Sequence, residues 1–336
     1  MTREGVLFVY GNPLLDISAD VNEEFLKKYD LEPNNAILAE DKHKVMYDDL
    51  VANFNVDFTP GGAAQNTARV AQWLIAIPKS VSYVGCIGND DKYGKILEQK
   101  AEIAGVCARY MKTDKEPTGT CAVLVTDSGK NRSLCAYLAA ANHYKSDHLE
   151  TPEVDKLMRL AQYYYISGFP LTVSPESMLH IAKHAANENK KFIMNLSAPF
   201  LCEVFKQQMN DIMPYVDVLF GNETETDIDK IAMKIASWPK QNGRYGRIVV
   251  ITHGSEPTIV VDNGVLKKYP VIHIEDSHIV DTNGAGDAFV GGFLARFVQG
   301  EEIEACIRGG NYAANLIIQR PGCSLPEKPD CTVSVF

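Results

Sequence analysis

Thirteen residues near the end of the chain, DTNGAGDAFVGGF from Asp281 to Phe293, join two acids and a glycine pair to an apolar run. From Ala285 onward apolar residues recur at helical spacing, which predicts an amphipathic helix that begins within the glycine pair. The first-turn N–H groups of such a helix lack intrahelical partners and carry the positive end of the helix dipole. Because the glycines leave room for a ligand, the stretch predicts an anion-binding site with Asp287 beside it.

Asp287 lies where a carboxylate can accept a proton from a hydroxyl group. A proton acceptor beside a phosphate cradle is typical of phosphoryl transfer to an alcohol. An aspartate in a first helical turn is also a common structural residue, since it satisfies the dipole, so the motif alone leaves both interpretations open. The sequence has no GxxxxGK[ST] loop, and the glycine pair lacks the third glycine of the dinucleotide fingerprint.

A second glycine pair precedes another predicted helix, in PGGAAQNTARVAQWL from Pro60 to Leu74. Ala64, Ala68 and Ala71 form a small-residue stripe that permits close packing, and Asn66 lies in the first turn. Two such helix starts in one chain favour a ligand site over coincidence.

Short apolar runs alternate with amphipathic segments along most of the chain, which predicts an α/β fold with a central, mainly parallel sheet flanked by helices. Ligands in such sheets bind at the carboxyl ends of strands. Residues 19–60 and 118–141 break the alternation, and the second segment has the pattern of a β-hairpin. We predict that these two segments form a small β-rich lid, and that residues 1–18, 61–117 and 142–336 form the large domain. The six apolar runs are 6–11, 80–88, 163–168, 191–196, 216–222 and 247–254.

Composition narrows the possible partners. The chain has 336 residues, 46% of them hydrophobic, and a formal net charge of −10, so no excess of cations is available for nucleic acid or an anionic membrane. Its eight cysteines show neither a CxxC pair nor zinc spacing and are read as reduced thiols. With no signal-like segment, we expect a cytoplasmic protein; nuclear residence is possible, although no basic cluster supports it.

The two glycine motifs resemble the two signatures of the ribokinase (PfkB) family of carbohydrate and nucleoside kinases. The resemblance covers essentially the whole chain and is strongest to members that act on adenosine. It implies a ribokinase-like fold and transfer of the ATP γ-phosphate to the 5′-hydroxyl of adenosine, giving AMP and ADP in purine salvage. It also implies a Mg²⁺ requirement and a monomer. The further segments that carry it are 11–18, 37–43, 117–125, 171–177, 195–200, 213–225 and 321–330.

The resemblance also implies roles for individual residues. Asp287 would be the base, and Arg132 would be brought over the phosphates by closure of the lid. Backbone amides of Gly284, Ala285 and Gly286 would hold the charge on the transferred phosphate. Asp16, which we place in a loop directly after the first strand, would accept hydrogen bonds from the ribose hydroxyls, with Asn12, Gly62 and Asn66 completing the ribose site. The other implied substrate residues are Leu14, Leu38, Ala63, Cys121, Leu134, Ala136, Phe169, Phe200 and Asn283; on the ATP side they are Asn195, Asn222, Glu225, Thr252 and Gly254, with Glu225 holding Mg²⁺ through water.

The chain departs from this pattern at Ala36 and Ala63, where related kinases carry glutamine and serine. Both changes remove polar groups near the base, which predicts broader acceptance of purine nucleosides. Two alternatives stay open: a kinase of the same family that acts on another nucleoside or a sugar, and a non-catalytic adenosine-binding scaffold. The presence of Asp287, Arg132, Asn222 and Glu225 argues against the scaffold.

Overall fold

The computed structural model describes residues 3–33, 35–127, 131–222, 227–241 and 246–329. These residues form two β-sheets and eleven α-helices. In chain order the strands are β1 (Leu7–Tyr10), β2 (Leu14–Asp20), β3 (Ala36–Leu38), β4 (Asp57–Gly61), β5 (Val81–Gly88), β6 (Cys107–Thr113), β7 (Thr120–Thr126), β8 (Asn131–Tyr137), β9 (Tyr163–Ile166), β10 (Lys191–Asn195), β11 (Val218–Asn222), β12 (Ile248–His253), β13 (Glu256–Asp262) and β14 (Val265–Tyr269).

Most of the helices flank the larger sheet, and none in the described part of the chain is both long and apolar enough to cross a membrane. They are α1 (Glu23–Lys28), α2 (Lys44–Asn53), α3 (Ala63–Ile75), α4 (Lys92–Ile103), α5 (Pro152–Leu160), α6 (Pro175–Asn187), α7 (Pro199–Val204), α8 (Lys206–Ile212), α9 (Ile228–Ala236), α10 (Ala285–Phe297) and α11 (Ile303–Ile318).

The large sheet has nine strands in the order β14-β13-β12-β11-β10-β9-β1-β5-β6. All neighbours are parallel except at β12-β13 and β13-β14. Each of the six predicted strands is present, because a strand covered on both faces reads as a continuous apolar run. The prediction of a mainly parallel α/β sheet is confirmed.

Alternate residues of β1 show how the core is divided. Phe8 and Tyr10 belong to a cluster with α5, α6, α8 and α9, whereas Leu7 and Val9 belong to a cluster with α3 and α10. Successive side chains of a strand point to opposite faces, so each face of the sheet carries its own core. The carboxyl ends of the parallel strands remain open to ligands.

Helix α10 is more buried than its predicted amphipathic pattern implied, since every residue from Ala288 to Ala295 is buried. Helix α11 also covers α10, and the close approach of these two helices depends on glycine. A Cβ added to Gly292 would lie 2.1 Å from the carbonyl oxygen of Gly309, well inside any permitted contact. Two helix backbones therefore touch where α10 leaves the candidate anion site.

Gly292→Ala should lower the stability of the whole domain, since the obstacle is backbone that cannot rotate away. We expect a loss of about 1–3 kcal/mol, the range for overpacked cores, measured as a fall in Tm. Gly246→Ala is the matched control, because its added Cβ would meet only ordinary contacts at 3.7 Å. Equal Tm values for the two variants would contradict this account of the helix crossing.

The small sheet has five strands in the order β3-β8-β7-β2-β4. The predicted hairpin is β7 and β8, which pair antiparallel. Helices α1 and α2 cover one face, so the segment 19–60 contributes helices as well as strands. The predicted boundary at residue 18 falls inside β2, which pairs along its length with β4 and β7. The division into two domains otherwise stays a prediction.

Candidate active site

The two glycine motifs meet at Asp287. This residue lies in the first turn of α10, whose N-cap, Gly284, has a φ of +74° that favours glycine. The amide of Asn66, in the first turn of α3, donates a hydrogen bond to Asp287 Oδ2 at 3.1 Å. Thr67 Oγ1 donates to the Asp287 carbonyl oxygen at 3.2 Å. The second glycine motif thus orients the candidate base of the first.

Two aspartates in the site have raised pKa values. Burial raises the pKa of Asp287 to about 7, and the hydrogen bond from Asn66 opposes that rise. Burial also raises the pKa of Asp16 to about 7; the charges of Asp287 and Asp281 add to the rise, and Arg69 opposes it. The carboxylates of Asp16 and Asp287 therefore lie close enough to interact electrostatically. A carboxylate with a pKa near neutrality suits a general base.

Asp16 lies inside β2 rather than in a loop after the first strand, as the sequence interpretation had placed it. The chain turns at Pro13 and starts the next strand at once, where Asp16 pairs with Thr59 and Cys121. Its carboxylate packs on Gly61, where an added Cβ would lie 1.9 Å from Oδ1. Gly61 was not among the predicted site residues; its signal was the unbroken glycine pair.

Gly62, the second residue of the glycine pair, packs against the backbone of Asn12. Gly62 has a φ of +85°, and a Cβ there would lie 2.3 Å from the Asn12 carbonyl oxygen. The Asn12 side chain is buried, and among the described residues neither its Oδ1 nor its Nδ2 has a hydrogen-bond partner. Asn66 Oδ1 is buried without a partner as well. Because unsatisfied buried polar atoms are costly, these groups are suited to a hydroxyl-bearing ligand.

Two cavities join at the start of α10. A small cavity of about 140 Å³ contains Asp287, and a larger, mainly apolar cavity of about 490 Å³ lies beyond it. Thr252, Gly286 and Phe289 line both. This arrangement suits two ligands that meet at the helix N-terminus. The small cavity is also lined by Ala63, Phe169, Asn195 and Asn222, and the large one by Gly254, Pro270, Ile272, Ile279, Ala285 and Ile318.

The predicted anion hole has room for an anion. A Cβ added to Gly286 would meet nothing within 4 Å, so this glycine faces open cavity rather than protein. The Ala285 N–H donates to the Thr282 carbonyl oxygen at 3.2 Å, and the Asn283 N–H donates to Asp281 Oδ1 at 2.8 Å. An anion at this helix start would therefore have to share the Ala285 donor.

Arg132 reaches this loop from the small sheet. Its Nε lies 2.9 Å from Asp281 Oδ1 in an ion pair, and its Nη2 donates to the Val280 carbonyl oxygen at 3.2 Å. The buried Asp281 also accepts the N–H of Gly322 at 2.7 Å. Asp281 opens the glycine motif, but nothing in the sequence identified it as the partner of an arginine so far away.

The structure brings together only some of the apolar residues that were implied to contact the substrate. Phe169 lines the small cavity, whereas Phe200 lies in α7 and packs against the large core. Leu38 is 45% exposed on β3, where it pairs with Ala136. Leu14, Cys121, Leu134 and Ala136 share one apolar cluster with Val123 and Leu138.

The predicted ATP-side residues lie at the carboxyl ends of three neighbouring strands. Asn195 ends β10 and accepts the Ser197 N–H at 2.9 Å, Asn222 ends β11, and Thr252 lies near the end of β12. Glu225 lies outside the described residues. Within the described ranges, no group of three or more His, Cys, Asp or Glu side chains could hold a metal ion.

Arg69 is a further residue that the sequence interpretation missed. Its guanidinium donates to the carbonyl oxygens of Pro60 and Cys323, at 3.2 and 3.3 Å. It thereby ties the second glycine motif to the loop after α11 and supplies positive charge near Asp16. The available signal was that Arg69 is the one cation in PGGAAQNTARVAQWL.

Comparisons with known proteins agree with this geometry. The model of the pfkB family of carbohydrate kinases matches residues 24–331. Adenosine kinase 2 of Arabidopsis thaliana is 52% identical, with 97% of each chain covered. The structure of Anopheles gambiae adenosine kinase with P1,P4-di(adenosine-5) tetraphosphate is 46% identical over 98% of this chain and 99% of that one, with a TM-score of 0.92. A Schistosoma mansoni adenosine kinase with adenosine and AMP is 35% identical over 97% and 98%, with a TM-score of 0.88.

The chain belongs to the pfkB family of carbohydrate kinases, and its fold is the ribokinase-like α/β fold of the adenosine kinase structures. It is therefore an enzyme, a phosphotransferase.

Proposed function

We propose that the protein transfers the γ-phosphate of ATP to the 5′-hydroxyl of adenosine, giving AMP and ADP, a reaction of purine salvage. The observation that carries the proposal is the position of Asp287, at a helix N-terminus where an acceptor cavity meets a donor cavity. Support also comes from relatives named as adenosine kinases, one of them solved with adenosine and AMP.

The acceptor is held by the residues around the two glycine motifs. Asp16 accepts hydrogen bonds from the ribose hydroxyls, a task for a carboxylate with two acceptor oxygens. Asn12 and Asn66 contribute the polar atoms that otherwise stay unsatisfied. Phe169 packs on the base. The 5′-hydroxyl then lies at Asp287.

The donor occupies the larger cavity, with its apolar walls on the adenine of ATP and its phosphates at the start of α10. Mg²⁺ would fit at the boundary between the two cavities, where Thr252 lines both and Asn195 and Asn222 line the small one with the oxygen ligands that a hard cation prefers. When bound, Mg²⁺ neutralises phosphate charge and keeps most of its waters.

The reaction then needs one proton acceptor and one anion site. As the 5′-oxygen bonds to the γ-phosphorus, the bond from that phosphorus to the bridging oxygen of ADP breaks. The hydroxyl proton passes to the Asp287 carboxylate, which Asn66 holds in place. The N–H groups of Gly284, Ala285 and Gly286 and the dipole of α10 stabilise charge on the transferred group.

The rate should fall as pH decreases below about 7. A base must be deprotonated, and burial raises the pKa of Asp287 to about 7, so acid converts it to the inactive form. The pKa of Asp16 is raised to about 7 too, and its protonation weakens the ribose site over the same range. The check is kcat/KM for adenosine from about pH 5 to about pH 9. A profile that stays flat down to pH 5 would contradict the role of Asp287.

Acceptor competition tests the proposed substrate. Wild-type protein with Mg·ATP receives adenosine, inosine, guanosine or ribose, and nucleotide products are separated by chromatography. We expect adenosine to give the highest kcat/KM and ribose to give no product. Measurable turnover of inosine and guanosine is expected from the alanines at positions 36 and 63. Ribose as the best acceptor would favour the sugar-kinase alternative, and adenosine binding without AMP would favour the scaffold.

A monomeric state and cytoplasmic localisation remain part of the proposal.

A further inference from the structure

The Asp281 carboxylate is buried and has several polar partners. Its side chain is fully buried. It accepts the N–H groups of Asn283 and Gly322, at 2.8 and 2.7 Å, and it pairs with Arg132 Nε at 2.9 Å. Two N–H donors and the positive charge of Arg132 together hold the direction of this carboxylate.

The ion pair crosses between the two parts of the fold. Arg132 is the second residue of β8 in the small sheet, whereas Asp281 lies just before α10, in the loop that forms the anion site. Arg132 has a second anchor in the same loop, because its Nη2 donates to the Val280 carbonyl oxygen. Two contacts at neighbouring residues determine both the position and the plane of the guanidinium.

The charge of Asp281 also acts on another residue of the site, because it is one of the charges that raise the pKa of Asp16. Without a cation, Asp281 would be an uncompensated buried charge, which is costly, and it would repel an anion at the start of α10. Arg132 cancels that charge, so docking of Arg132 and binding of a phosphate at α10 favour each other.

We propose that Asp281 is the positioning residue for Arg132: it holds the guanidinium at the N-terminus of α10 and thereby couples the small sheet to the phosphate site. This inference rests on the proposed phosphoryl transfer. Asp281 affects the reaction through Arg132, and it does not contact the reacting atoms.

A double-mutant cycle tests the coupling. Asp281→Asn, Arg132→Gln and the double variant are assayed for kcat and KM with Mg·ATP and adenosine. Asp281→Asn should lower kcat about 100-fold, the cost of misplacing a catalytic group by an ångström. In the Arg132→Gln background the same change should have little further effect, and adenosine binding by calorimetry should stay unchanged. Asp155→Asn is the matched control, because Asp155 forms an exposed pair with Arg159 at 2.7 Å.

The possible outcomes distinguish a failure of this inference from a failure of the proposed function. An equal loss of kcat from Asp281→Asn in both backgrounds would mean a purely structural role and would overturn the inference, as would no loss at all. If Asp281→Asn does not fold, Asp281→Glu is assayed in both backgrounds: it keeps the charge but displaces the carboxylate, so a loss of kcat of at least about tenfold that disappears in the Arg132→Gln background supports the inference, and an equal loss in both backgrounds overturns it. Wild-type protein that makes no AMP would overturn the proposed function, and the inference with it.

Discussion

Asp287→Asn is expected to lower kcat by about 10²–10⁴-fold, the usual contribution of a positioned general base. Asparagine has nearly the same shape but cannot take the proton of the 5′-hydroxyl. Asn66 can turn its amide to face the new side chain, so the helix start should stay folded and should still bind adenosine. The measurement is steady-state AMP formation together with adenosine affinity.

The control for this variant is Asp229→Asn. Asp229 also lies in a first helical turn, that of α9, where it pairs with Lys268 on the surface. Its substitution removes the same charge from the first turn of another helix without touching the site. A kcat for Asp287→Asn within a few-fold of this control would show that Asp287 only satisfies the helix dipole.

Asp16→Asn should mainly affect the acceptor. Each hydrogen bond to a charged group contributes about 1.5–3 kcal/mol, so loss of both ribose contacts predicts a fall in kcat/KM for adenosine of about 10²–10⁴-fold. The amide of asparagine keeps one acceptor oxygen, which places the expected effect near the lower limit.

The decisive comparison uses 2′,3′-dideoxyadenosine as the acceptor. This nucleoside lacks both hydroxyls that Asp16 is proposed to bind, so wild-type protein and Asp16→Asn should process it at similar, low rates. Should the variant lose the same factor with adenosine and with the dideoxy analogue, Asp16 would have to act on the fold or on Asp287 instead.

Much of the fold could be predicted from the sequence because parallel strands covered on both faces leave a direct trace. The six apolar runs all became strands of the large sheet. The start of α10 was predicted correctly for a different reason: the φ of +74° at Gly284 favours glycine, so the backbone geometry is visible in the residue type. Local causes produce local signals.

The remaining features depend on contacts between distant parts of the chain. Asn66 and Asp287 are 221 positions apart, and the Arg132 contact with Val280 spans 148. No local pattern records such pairs. The second covering of α10 was missed in the same way, because α11 arrives later in the chain and removes the polar face that periodicity predicted. Asp16 was assigned to a loop because only Gly11, Asn12 and Pro13 separate the end of β1 from the start of β2.

The most direct test of the central claim follows the phosphorus atom itself. Wild-type protein is mixed with Mg²⁺, adenosine and ATP labelled at the γ-phosphorus, and the products are separated and their phosphorylated position is identified by NMR. The account predicts that the label leaves ATP and appears on the 5′-oxygen of AMP, with one ADP formed for each AMP. Label released as inorganic phosphate, attached to a 2′- or 3′-oxygen, or retained in ATP while adenosine is bound would contradict it.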